Sequence, residues 1–189
     1  MSAGANPDRH EAEVAVIGGG LVGLAVALGL QDQGLTVSII DEGDVAVRAS
    51  RGNFGLVWVQ GKGDTCPAYA RLSRLSAQRW GQFATELTAS TGIDVQLSQI
   101  GGLYICLSEQ ELEQRRKMLE AMREAHDGNY PFEVLNHDQL KMKVPEIGPT
   151  VAGATWGPED GHVNPLLLLR AMAQRFIAEG GQLLTSGPV

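Results

Sequence analysis

The sequence predicts an α/β fold in which a doubly wound parallel-sheet domain is interrupted by an antiparallel α+β portion. Residues 13–41 read as strand, glycine-rich turn, helix and strand, the unit from which parallel sheets are built. From residue 43 this alternation gives way to glycine-rich and period-two segments that suit antiparallel pairing. A capped helix and a closing apolar run over 164–189 then return to the first pattern.

Residues 1–12 are small, polar and interrupted by Pro7, and are read as a disordered tail. "VAVIG" is a short β-branched run of the kind buried in parallel sheets, and Leu21 to Gln33 supply Ala and Leu at helical frequency until Gly34 stops the helix. "LTVSIID" is the second strand, ending in Asp41. After a long polar and glycine-rich excursion, a helix resumes near Ala68, where Tyr69, Leu72, Leu75, Trp80, Phe83 and Leu87 recur at three- and four-residue spacing and predict its buried face. Gly92 ends it. "IDVQLSQIGGLYICL" alternates on either side of Gly101 and Gly102 and predicts a hairpin with a glycine turn. Ser108 followed by Glu111 is a capping box, opening a helix with Leu112, Leu119, Met122 and Ala125 on one face and the solvated "EQRRKM" charges on the other. Phe132–Leu135 and Val151–Trp156 read as strands around the short capped helix "NHDQLKMK". Asn164 caps a last helix with Pro165 at its first position, Gly180 and Gly181 end it, and "QLLTSGPV" closes as a strand.

Composition narrows the classes of function. A chain of 189 residues is long enough to bury roughly two thirds of its unfolded surface, and its 43% hydrophobic and 20% charged residues are ordinary globular usage. The net charge of −7, with no basic block interleaved with aromatics, argues against a nucleic-acid partner. The apolar stretch Val14–Leu30 contains five glycines within a turn motif, so no membrane span is expected, and the acidic head before it is unlike a signal peptide. Cys66 and Cys106 lack CxxC spacing and read as reduced side chains of a cytoplasmic protein. The four histidines are scattered with no cysteine near them in sequence, so no metal is expected. His162, in "EDGHVNP", reads as a turn residue and Tyr104 as a strand packing residue.

Gly18, Gly20 and Gly23 satisfy G-x-G-x-x-G between the first strand and first helix. Gly18 permits the tight turn, Gly20 lets backbone approach a pyrophosphate, and Gly23 lets helix pack closely on strand. The first helical turn, Leu21 and Val22 onward, then aims its N–H groups and positive dipole end at the phosphates. A glycine triplet alone also occurs in βα turns that bind nothing. Here Asp41 stands at the end of the second strand, placed to accept hydrogen bonds from an adenosine ribose, and its charge disfavours a 2′-phosphate. Glu42 is the neighbouring candidate, but strand alternation points the two side chains to opposite faces. The motif admits FAD or NAD, which present the same ADP half.

The segments "VIGGGLVGLAVALGLQDQGLTVSIID", "ASRGNFG", "GGLYICLSEQE", "GATWGPEDGHVNPLLLLRAM" and "GGQLLTSGPV" resemble the FAD-dependent D-amino-acid oxidase superfamily, which includes glycine oxidase, sarcosine oxidase and the FAD subunits of opine, hydroxyproline and cyanide-forming glycine dehydrogenases. The resemblance implies a Rossmann-type FAD-binding domain at 13–42 and 164–189. It implies an inserted antiparallel substrate-domain portion at 43–163, and a C-terminal half of the family fold that is absent. It implies FAD contacts from Ser50, Arg51, Asn53 and Gly55 in the loop after the second strand, and a backbone contact to adenine from Val189. Without it, Arg51 is a surface cation and Asn53 a turn residue. The function implied is oxidation of the C–N bond of an amino acid or secondary amine, with partner subunits possible. No residue of this chain is named as catalytic, because the family places its substrate-carboxylate arginine in the later half. Two other readings follow from the same residues. One is a truncated, inactive or partner-dependent FAD-binding protein; the other is an NAD-dependent Rossmann dehydrogenase.

Overall fold

A computed structural model describes residues 11–43 and 49–185. In chain order the elements are β1 (Val14–Ile17), α1 (Leu21–Gln31), β2 (Val37–Ile40), β3 (Leu56–Val57), α2 (Pro67–Thr91), β4 (Gly102–Cys106), α3 (Glu109–Glu124), β5 (Glu133–Asn136), α4 (His137–Lys143), β6 (Gly153–Gly157), β7 (Gly161–His162), α5 (Pro165–Ala178) and β8 (Gln182–Leu184). They divide into two compact units, one of residues 1–54, 84–95 and 164–189 and one of residues 55–83 and 96–163. Among the described residues, no helix is long and apolar enough to cross a membrane.

The first unit is built on a parallel sheet in the order β1-β2-β8, with Val14 beside Val37, Ile17 beside Ile40 and Ile40 beside Leu184. Strands this short and β-branched suit a sheet covered by helices, and Val37 and Ile39 are buried. α1 buries Leu24, Ala27 and Leu28 and packs against α5, which buries Leu168, Ala171, Met172 and Phe176. Both helices end on left-handed glycines, Gly34 and Gly180, a backbone conformation that L side chains resist. A Cβ at Gly181 would strike the Phe176 ring, so the close stop before β8 needs glycine there. Asn164 caps α5 by accepting from the Leu166 and Leu167 N–H groups, both at 3.2 Å.

The second unit holds an antiparallel sheet in the order β4-β6-β5 and a two-stranded pair, β3 with β7. One core cluster gathers Val57, Val59, Ala70, Ala77, Leu119, Met122 and Tyr130, and a second gathers Leu135, Leu140, Val151 and Ala154. Ser108 caps α3 by accepting from Glu111 N–H, while the Glu111 carboxylate accepts from Leu107 N–H, one residue earlier than a capping box has it. Asn136 and Gln139 form the complete reciprocal box of α4.

The structure corrects three local expectations. The predicted hairpin at 93–107 does not form: β4 pairs with β6, and Ser98 instead exchanges two 2.8 Å backbone bonds with His162. Gly101 does turn the chain, at φ +97°, but the indole of Trp156 fills the space a side chain would need there, and the partner strand comes from about fifty residues later in sequence. On α2, Tyr69, Leu72 and Leu75 are exposed, and the buried positions are Ala70, Arg74, Ala77, Ala84 and Leu87. The helix is seated through small side chains and one satisfied cation: Arg74 pairs with Glu159 at 2.7 Å, donates to the Asn129 carbonyl and lies over the Tyr130 ring. On α3, Leu112, Leu119 and Met122 are buried as expected, but Ala125 at the C-cap is exposed.

Candidate functional site: the glycine turn and its cleft

The turn between β1 and α1 is assembled from backbone. Gly18, at φ +98°, donates its N–H to the Ile40 carbonyl at 2.8 Å, which ties the turn to the end of β2. A Cβ on Gly23 would collide with the Gly18 carbonyl oxygen, so helix and turn approach each other only because position 23 has no side chain. Gly20 is the N-cap of α1 and supplies no side-chain cap, and no acidic residue stands in the first turn. That leaves the positive end of the helix dipole uncompensated by any carboxylate of the helix itself.

Two side chains close around this turn. The Asp41 carboxylate accepts from Gly19 N–H at 2.6 Å and from Gly43 N–H at 2.8 Å, and the Asp41 N–H is held by the Leu184 carbonyl at 2.9 Å. Three segments, the glycine turn and the ends of β2 and β8, are therefore fixed around one residue, the first two through its carboxylate and the third through its backbone N–H. The Ser50 hydroxyl accepts from Leu21 N–H at 3.0 Å, and a Cβ at Gly20 would come within 2.8 Å of that oxygen. The second glycine of the triplet is thus required by Ser50 as well as by any ligand.

Beside the turn lies a cleft of about 490 Å³ lined by residues that include Gly19, Asp41, Gly43, Arg51, Arg170 and Thr185. A smaller hollow of about 50 Å³ adjoins it between Gly19, Gly20, Ser50 and Arg51. Of the residues singled out by sequence, the structure brings together Gly18, Gly20, Leu21, Gly23, Asp41, Ser50 and Arg51. Val22 is 80% exposed and lines neither hollow. Glu42, past the end of β2 like Asp41, is exposed and is not among the residues lining the cleft. Asn53 is a turn residue: its amide donates to the Ala49 and Ser50 carbonyls at 3.1 and 3.0 Å. Gly55 is buried at φ +67°, its carbonyl accepts from Val163 N–H, and it belongs to the second unit. Val189 lies outside the described residues.

Sequence reasoning missed the α5 wall of the cleft, Leu166, Leu169, Arg170 and Ala173. Their i, i+3, i+4, i+7 spacing is present in the sequence, but seven of the eight residues of "LLLLRAMA" are apolar, so periodicity singles no face out. Tyr104 lies beneath the Arg115 guanidinium, 4.1 Å from its ring centroid, and His162 serves β7 through its backbone. Neither is near the glycine turn in sequence or within its unit.

The arrangement suits a diphosphate on the open helix end with a hydroxyl-bearing sugar at the carboxylate. Comparison with known proteins gives the family. The sequence pattern of the FAD dependent oxidoreductase family (DAO) matches residues 13–189. An opine oxidase chain of Agrobacterium tumefaciens, the B component of that enzyme, is 42% identical over 181 residues, covering 95% of this chain and 49% of that protein. Its counterpart in Rhizobium meliloti is 43% identical over 86% of this chain and 44% of that protein. Glycine oxidase from Geobacillus kaustophilus superposes with a TM-score of 0.84 at 26% identity, over 93% of this chain and 46% of that one. The chain thus spans about half the length of the relatives it matches. The family's cofactor decides for FAD between the two dinucleotides the fingerprint admits. The chain belongs to the DAO family of FAD dependent oxidoreductases.

Proposed function

We propose that this chain supplies the ADP-binding portion of an FAD-dependent enzyme that oxidises the C–N bond of an amino acid or secondary amine of the opine type. The observation that carries the reading is the closure of the Gly18–Gly23 turn by Asp41 and Ser50 beside a cleft of about 490 Å³. The turn fits the cofactor: its N-cap, Gly20, brings no side chain of its own to the helix end, and the glycines at 20 and 23 let Ser50 and the Gly18 carbonyl close on the turn where a Cβ would strike them. Gly20 and the N–H groups of the first turn of α1 after Leu21 would hold the pyrophosphate, Asp41 the ribose hydroxyls, and Arg51 would add positive charge at the phosphates.

Bound FAD supplies the two-electron acceptor for a hydride leaving the substrate Cα–H. This chain's own contribution is orientation and charge. Asp41 would fix the sugar by accepting hydrogen bonds from its hydroxyls, and Ser50 holds the first N–H of α1 in place so that the phosphate-facing backbone keeps its geometry. The two opine oxidase relatives are each named as one component of their enzyme, which supports the amine substrate class and a multi-subunit assembly in which this chain meets partner chains. We assign the sheet β1-β2-β8 with α1 and α5 to the FAD-binding domain and the β4-β6-β5 sheet to the substrate domain.

The test begins with the visible spectrum of the purified chain after incubation with excess FAD and desalting. A retained, shifted flavin spectrum is expected, and a colourless wild-type chain counts against cofactor binding by this portion alone. For the substrate class, the enzyme assembled with its partner chains should reduce an artificial electron acceptor in the presence of an opine. Flavin reduction by hydroxy acids and not by secondary amines would overturn the assignment.

A further inference from the structure

The cleft beside the glycine turn has a wall that the fingerprint does not describe. α5 buries Leu168, Ala171, Met172 and Phe176 on one side. A second stripe of the same helix, Leu166, Leu169, Arg170 and Ala173, lines the cleft together with Asp41. Leu166 is left 57% exposed there. The Arg170 side chain has no hydrogen-bond or ion-pair partner among the described residues, whereas Arg175 on the same helix is held by Asp32 and Glu179, both at 2.8 Å.

An aliphatic shelf with one unpaired planar cation suits a flat heterocycle: leucines cover the ring and a guanidinium stacks on its π-face. We infer that Arg170 stacks on the adenine of the dinucleotide and, with Leu166 and Leu169, sets the chain's affinity for that base. The inference rests on the FAD reading of the same cleft, in which Asp41 holds the ribose one bond away from the base. A guanidinium is also a good phosphate ligand, so the experiment must separate the base from the diphosphate.

The 189-residue chain and its Arg170→Ala and Arg170→Lys variants are titrated calorimetrically with FAD, ADP and inorganic pyrophosphate, alongside melting curves. Arg170→Ala is expected to weaken FAD and ADP about 5- to 30-fold, to leave pyrophosphate affinity and the melting temperature unchanged, and to be only partly rescued by lysine, which keeps the charge and loses the plane. Equal losses for ADP and pyrophosphate, fully restored by lysine, make Arg170 a phosphate cation and overturn the inference. Unchanged ADP affinity in Arg170→Ala overturns it while leaving the FAD reading intact. A wild-type chain that takes up neither FAD nor ADP refutes both.

Discussion

Asp160 is 1% exposed and is a buried carboxylate that organises the second unit. One of its oxygens accepts from the backbone N–H groups of Val59 and Gln60, and the other accepts from the Gln60 side-chain amide at 2.8 Å. Gln60 in turn donates to the Gly102 carbonyl at 2.9 Å and accepts from the Thr155 hydroxyl at 2.7 Å and from Arg115 at 3.4 Å. Asp160→Ala deprives the two backbone donors of this acceptor inside the protein, at about 1–3 kcal/mol each. With the small cavity added, the expected loss is about 3–7 kcal/mol, a large part of the ~5–15 kcal/mol that holds an ordinary domain folded. Asp160→Asn keeps one oxygen for both N–H groups but sets an amide against the Gln60 amide. If Gln60 flips to relieve this, the Gly102 carbonyl loses its donor, so the cost is about 1–2 kcal/mol. Burial pushes the Asp160 carboxyl above its ordinary value of 3.8, outweighing the hydrogen bonds that lower it. The folded chain therefore keeps this proton to higher pH than the unfolded chain, so the associated stability is complete below 3.8 and is lost as pH rises through the raised value. Urea unfolding followed by circular dichroism and tryptophan fluorescence across that pH range measures all three effects. A loss under about 0.5 kcal/mol for Asp160→Ala, or an asparagine variant as unstable as the alanine one, would refute the reasoning.

Three other substitutions test the site and the surface. Gly23→Ala places a Cβ against the Gly18 carbonyl; it is expected to cost about 2–3 kcal/mol in urea unfolding and to abolish FAD retention after desalting, and full retention would show that the turn can relax. Asp41→Ala removes the acceptor of two backbone N–H groups and of the proposed ribose contact, so ADP affinity measured by calorimetry should fall about 10-fold or more; unchanged affinity would move the sugar elsewhere. Glu113, bonded to Arg116, has its carboxyl lowered to about 2 from 4.5. The pair's contribution to α3 is present above pH 4.5 and disappears as pH falls toward 2, so Glu113→Gln should flatten that acid limb of the unfolding profile, and an unaltered limb would assign the slope to other carboxylates.

The β1–turn–α1–β2 unit is legible in the sequence because each of its signals is local. Left-handed glycines, a β-branched strand and a carboxylate at the strand end act within about thirty residues, and Gly18, Gly23 and Asp41 stand where their spacing places them. Caps at Ser108, Asn136 and Asn164 are readable for the same reason: a side chain satisfies an N–H two or three residues on. The face of α2 is not legible in this way. Periodicity weights large apolar residues as the buried ones, whereas the helix is seated through alanines and the paired Arg74.

Which residues could make a phosphate-binding turn is written in the local sequence, since tolerance of φ above zero and the absence of a Cβ are properties of glycine wherever it stands. The caps and the stopping glycines that bound the helices, to within a residue or two, are local in the same way. The folded arrangement alone sets which strand β4 pairs with, the pairing of Asp160 across a hundred residues with the Val59–Gln60 backbone, and the face of α5 that lines the cleft. Those choices depend on contacts between segments distant in the chain, where hydrogen-bond satisfaction and packing select among partners that local pattern leaves equivalent.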